Sequence, residues 1–92
     1  MNAIVTLYGR SNCGLCDEAE RMLRTLSGKL GFALETVSIE SDEALLDRYG
    51  MAIPVVAIRE VEVARAPLRQ GALEEALRAA LIDFRSRAPL GH

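Results

Sequence analysis

A β-branched, apolar run, Ile4-Val5-Thr6-Leu7-Tyr8, gives way within a few residues to apolar positions spaced by three and four: Leu15, Ala19, Met22, Leu23 and Leu26. The first pattern suits a strand with both faces covered, the second an amphipathic helix. Phe32 to Ile39 then reads as a second strand, in which Val37 and Ile39 alternate with Thr36 and Ser38. Two strands joined through a helix lie parallel, with a right-handed crossover. That constraint commits the chain to a sheet with helices packed on it.

The remaining elements fit around this unit. Gly9-Arg10-Ser11-Asn12 is the loop into the first helix, which Gly28 or Gly31 should stop. Ser41 or Asp42 can cap a short second helix with Leu45, Leu46 and Tyr49 facing inward, and Gly50 closes it. Val55-Val56-Ala57-Ile58 is a third strand, with Pro54 at its start because proline donates nothing to a ladder. Val61 and Val63, alternating with Glu62 and Ala64, predict a fourth strand paired to the third, although Arg59-Glu60 lacks the Asn-Gly signal of a tight hairpin. Leu73, Ala76, Leu77, Ala80, Leu81 and Phe84 make one stripe of a last helix. Glu74 and Arg78 support it at i,i+4, Arg85 and Arg87 favour its C-terminal end, and Pro89 lies beyond. The order is β-α-β-α-β-β-α, an α/β chain whose first half is parallel and whose second half adds an antiparallel hairpin.

With 92 residues the expectation is a single domain over 1–92. Eleven basic against thirteen acidic residues give a net charge of −2, which argues against a nucleic-acid partner. No apolar run approaches the roughly 20 residues of a membrane span, and the first residues lack a signal-peptide series. A cytoplasmic monomer with no membrane partner is the expectation.

Cys13 and Cys16 stand in Cys13-Gly14-Leu15-Cys16. A disulfide across so short a loop stabilises little, so a structural staple explains the pair poorly. Structural zinc normally takes four Cys or His ligands, and the chain adds only His92, expected to be an inert terminal residue. Haem attachment needs His at position 17, where Asp17 stands. A reversible dithiol remains, usually catalytic or redox-sensing in a reducing compartment.

A strand ending in Tyr8-Gly9-Arg10, then Cys13-x-x-Cys16 opening a helix, then Tyr49-Gly50 and Ile53-Pro54 before a strand, resembles the glutaredoxin branch of the thioredoxin superfamily. Leu15-Cys16-Asp17-Glu18-Ala19 is similar to small bacterial glutaredoxin-like proteins. The resemblance implies a thioredoxin-like, glutaredoxin-type three-layer sandwich around a mixed four-stranded sheet. It also implies a cis Pro54 facing the dithiol, and a glycine site before the last helix, here Gly71, that helps hold glutathione. The chain departs from the family in three places: Gly14-Leu15 between the cysteines, one glycine in Gln70-Gly71-Ala72, and Arg10 where lysine is usual.

Cys13 falls at the N-cap of a helix, where N–H groups and the dipole favour thiolate, so it should attack and titrate below about 8.5. Cys16, one turn deeper, should resolve the mixed disulfide. Asp17 and Glu18 partly oppose the thiolate, and Arg10 supplies positive potential for it or for an anionic substrate. Tyr8 is expected to pack against the first helix. A cis Pro54 would leave the Ile53 N–H and C=O free to pair with an extended thiol peptide. The expected activity is thiol–disulfide exchange on protein disulfides or glutathione mixed disulfides. No cofactor or metal is required, with glutathione as a cosubstrate. The alternatives are a glutathione-dependent iron–sulfur or metal-binding module shared between two chains, and a non-catalytic interaction protein.

Overall fold

A computed structural model of the protein describes residues 3–86. Among them the chain forms β1 (Ile4–Gly9), α1 (Gly14–Leu30), β2 (Ala33–Ser38), α2 (Glu43–Tyr49), β3 (Val55–Ile58), β4 (Val61–Arg65) and α3 (Gln70–Ser86), in the order expected. One sheet runs β2-β1-β3-β4. β1 and β2 are parallel from Ile4↔Ala33 to Gly9↔Ser38, while β3 runs antiparallel to β1 and β4 antiparallel to β3. The expectations at Arg87, Pro89 and His92, and those on the first two residues, lie outside the described residues. Among the described residues no helix is long and apolar enough to cross a membrane.

Helix α1 buries Cys16, Ala19, Leu23 and Leu26, steps of three and four that keep one face on the sheet. Leu15, expected in that stripe, is 60% exposed. One residue is about 100° of helix, and Cys16 takes the first inward position instead. The helix runs through Gly28 and stops at Gly31, whose φ of 77° is left-handed and whose N–H returns to the Ser27 carbonyl at 2.9 Å. The main core joins Leu23 and Leu26 of α1 and Leu73, Leu77 and Leu81 of α3 to Val5, Leu7, Val56 and Ile58 of the sheet. Truncating such a leucine typically costs about 2–5 kcal/mol.

The opposite face is covered less. Among the described residues only α2, capped by Asp42 through the amides of Ala44 and Leu45, packs there, over Tyr8, Val55 and Ala57. Seven helical residues cannot reach the far end of β1, so Ile4 is exposed and Thr6 half-buried, and β1 is not covered on both faces along its length. Leu45 and Tyr49, four residues apart, face the sheet, while Leu46 turns outward at 43% exposure instead of joining them. A two-turn helix has room for a narrow inner face only. Tyr8 packs on Tyr49 with ring centroids 4.7 Å apart, not on α1. Strand alternation explains this: Val5 and Leu7 point to α1 and α3, so Tyr8 points the other way.

The alternation expected in β4 is also broken. A bulge shifts the register between Val56 and Ala57, so that Val63 and Ala64 both lean on the main core; Val61, opposite Ile58 beside the hairpin turn, is 67% exposed. The two-residue turn Arg59-Glu60 makes a tight hairpin despite its composition, with φ of 51° and 66°. Left-handed backbone costs roughly 1–2 kcal/mol per non-glycine residue. The Arg59 guanidinium offsets part of this by lying 4.7 Å from the centre of the Phe84 ring. Glu60→Gly relieves half of the strain without touching that contact. It should add about 1 kcal/mol of stability and raise Tm by about 4–8 °C, read by thermal unfolding. An unchanged or lower Tm would show that the turn carries no strain.

Candidate active site

Strand β1 delivers the chain to Gly9, and three exposed residues later Cys13 begins the helix. Asn12, in left-handed backbone at φ 55°, makes the turn, a conformation asparagine tolerates better than most residues. Cys13 is extended (φ −122°, ψ 104°), and its Sγ accepts the Cys16 N–H at 3.2 Å. The sulfur thus stands where a serine or aspartate oxygen normally caps a helix. The Cys13 carbonyl takes the Asp17 N–H at 3.0 Å, the first turn of α1.

Cys16 lies beneath, 6% exposed, against Gly9. A Cβ added to Gly9 would sit 3.0 Å from the Cys16 sulfur and 3.2 Å from its Cβ, so only glycine lets the helix settle this close. Burial, and then the hydrogen bond with Cys13, push the Cys16 thiol up to about 11; the Arg10 backbone amide works against the rise. Cys16 therefore keeps its proton at neutral pH. Cys13 is half-buried, and both cysteines are free thiols. The two sulfurs are unequal: one reaches solvent and receives an N–H, the other is shielded and protonated.

The other expected site residues are dispersed around this pair. Tyr8 pairs with Val55, so continuing that register places Pro54 across from Gly9, at the dithiol end of the sheet. The Ile53–Pro54 bond is cis, as is Ala66–Pro67, and the Pro54 carbonyl accepts the Ala66 N–H at 2.9 Å. The Ile53 N–H, expected to be free for an incoming peptide, is already donated to the Tyr49 carbonyl at 3.2 Å, beside the Ala52 N–H at 2.8 Å. A helix end leaves its last carbonyls unpaired, and the chain turning back from α2 supplies these donors. Arg10 is exposed and lines a small cleft with Gly9, Cys16, Asp17, Glu20 and Ser38. Gly71 is the second residue of α3 with open space around it; neighbouring Gln70 lines a depression with Glu18, Arg21 and Thr25, which sets the start of α3 beside α1 downstream of the dithiol.

Glu40 escaped the sequence reading. Its Oε1 accepts the Ser11 N–H at 3.0 Å and the Ser11 hydroxyl at 2.8 Å, across 29 positions of chain. Only the parallel register, Gly9 beside Ser38, brings the two loops together. Those two donors hold the Glu40 carboxyl below the usual carboxylate range. Among the described residues no three His, Cys, Asp or Glu side chains gather to hold a metal ion. A metal or cluster on this dithiol would need ligands from elsewhere.

Residues 4–81 match the profile of the glutaredoxin-like domain (DUF836). Among solved structures, the X-ray structure of the Northeast Structural Genomics target XcR50 from X. campestris is 32% identical, with a TM-score of 0.71 over 82% of this chain and 96% of that one. Protein Ne2328 from Nitrosomonas europaea is 28% identical with the same TM-score, over 82% and 91%. Thioredoxin 1 from Thermosipho africanus, at 13% identity, has a TM-score of 0.65 over 89% and 98%, which shows the thioredoxin-like fold alone. A search of curated proteins found no match.

The inequality of the sulfurs is testable. At neutral pH iodoacetamide should modify Cys13 and spare Cys16, as read by peptide mass spectrometry. In Cys13→Ser, alkylation of Cys16 should still be slow at neutral pH and grow as pH rises, because burial, the largest cause of its raised pKa, remains. Gly9→Ala should lift Cys16 outward and speed its alkylation. Equal labelling of both thiols at neutral pH contradicts the arrangement.

Proposed function

Since the chain belongs to the glutaredoxin-like domain family, we propose that it is a thiol–disulfide oxidoreductase with Cys13 as attacking and Cys16 as resolving thiol. The observation that carries this reading is the pairing of a half-buried Cys13 sulfur, receiving the Cys16 N–H at 3.2 Å, with a shielded Cys16 one turn deeper. An N–H aimed at a sulfur stabilises negative charge there, and the thiolate is the species that exchanges.

The steps balance without a metal or organic cofactor. Cys13 thiolate attacks one sulfur of a substrate disulfide, forms a mixed disulfide and releases the other sulfur as thiolate. Cys16 then loses its proton and attacks the Cys13 sulfur. The Cys13–Cys16 disulfide forms, and the second substrate sulfur leaves. The substrate gains two electrons and the dithiol loses them; an external thiol, glutathione or a protein dithiol, returns them. Because the Cys16 thiol lies up at about 11, resolution is the step in which proton removal counts. The substrates are protein disulfides or glutathione mixed disulfides, in a reducing, cytoplasmic setting. Leu15, 60% exposed between the cysteines, offers apolar contact to a protein partner. Arg10, Ile53, Pro54 and Gly71 serve as substrate contacts. At Ile53 it is the carbonyl that is left for an incoming chain, since its N–H is engaged.

Cys13→Ser should abolish attack on any disulfide. Cys16→Ser should still attack and accumulate as a mixed disulfide, seen by mass spectrometry as a stable adduct. An adduct on Cys13→Ser but not on Cys16→Ser reverses the assignment. Ala72→Gly, which restores the family's second glycine, should speed reduction of a glutathione mixed disulfide while leaving reduction of a protein disulfide unchanged. A glutathione mixed-disulfide rate left unchanged by the substitution would remove Gln70-Gly71-Ala72 from the glutathione contacts.

A further inference from the structure

Between the end of β1 and the cap of α1, residues 10–12 are all exposed, so burial does little to fix the loop that presents Cys13. The turn also passes through left-handed Asn12, and backbone of that kind persists where its surroundings over-determine it. At its middle residue the tie is the Glu40 carboxylate, which takes both donors of Ser11 on one oxygen and lies 3.5 Å from the Ser38 hydroxyl. The pairing of Ile39 N–H with the Gly9 carbonyl at 2.9 Å anchors Glu40 to the end of β1. A carboxylate on the loop that presents the attacking sulfur would, as a charge alone, oppose thiolate. Its hydrogen bonds act in the opposite sense by fixing the loop.

We propose that Glu40 is a positioning residue that holds Ser11, and through it the Cys13 cap, in reactive geometry; this rests on Cys13 being the attacking thiol. The hydrogen bonds outweigh the charge, which the positive Arg10 beside it partly balances. The role requires an acceptor oxygen at position 40 and not a negative charge.

The test uses the full chain carrying Cys16→Ser, so that one thiol reacts, at neutral pH with two probes: iodoacetamide and the uncharged disulfide 4,4′-dithiodipyridine. Glu40→Ala should slow both reactions roughly three- to tenfold, the size expected when hydrogen bonds to a charged acceptor are lost. Glu40→Gln, whose amide oxygen still accepts from Ser11, should react as fast as the parent or faster. Adding Ser11→Ala to Glu40→Ala should slow it no further, because both changes remove one interaction. Rates for Glu40→Ala and Glu40→Gln that are both equal to or above the parent's overturn the proposal, since charge alone then accounts for the residue. Slowing of Glu40→Ala accompanied by a fall in melting temperature also overturns it, unless Ser11→Ala is slowed with melting unchanged. Alkylation of Cys13 without any reaction with the disulfide would sink the oxidoreductase reading, while the alkylation ratios still decide the role of Glu40.

Discussion

How closely α1 settles on the end of β1 controls the rest of the site. Gly9 has no side chain, and the space that a Cβ would take is filled by the Cys16 sulfur and Cβ. That contact buries one thiol, raises its pKa by desolvation and leaves the other at the helix cap, where Cys13 meets solvent. The same residue is the last rung of the parallel pair with β2, opposite Ser38, and its carbonyl holds the Ile39 N–H. One glycine thus fixes the height of the helix above the sheet and the approach of the loop carrying Glu40.

The two faces of the sheet are unequally covered, and the site stands at the end where both coverings meet. Two 17-residue helices, α1 and α3, close one face. The seven-residue α2 closes only the end of the other, stacking Tyr49 on Tyr8 and packing against Val55. This end receives the dithiol, Pro54 and the Tyr49 carbonyl with its two donors. Among the described residues the other end, around Ile4 and the Arg59-Glu60 turn, stays open to solvent. For the proposed exchange this placement matters, because a displaced cap would part the Cys13 sulfur from the Cys16 N–H that it accepts.

Several residues show where reading from spacing stopped. Leu15 and Leu46 are apolar neighbours of inward positions, and only packing decided that Cys16 and Leu45 take those places. Tyr8 was legible as the end of a strand, yet its partner Tyr49 lies 41 positions later and follows from sheet alternation in three dimensions. The bulge that lets both Val63 and Ala64 reach the main core leaves no composition signal, and neither does the left-handed Arg59-Glu60 turn. Of the candidate site, both cysteines and Pro54 were readable; Glu40 was not, because its partner Ser11 is fixed by strand register and not by any local pattern.

By itself the sequence determined the order of the elements, the parallel crossover and the placement of two thiols one helical turn apart at a strand-to-helix junction. These follow from periodicity and capping chemistry, which act over a few neighbouring residues. Only the tertiary structure decided how far α2 reaches, that the Ile53 N–H is spent on Tyr49, and that Glu40 grips the Cys13 loop. Each of those depends on register between segments tens of residues apart, and register is set by the packing of the whole sheet.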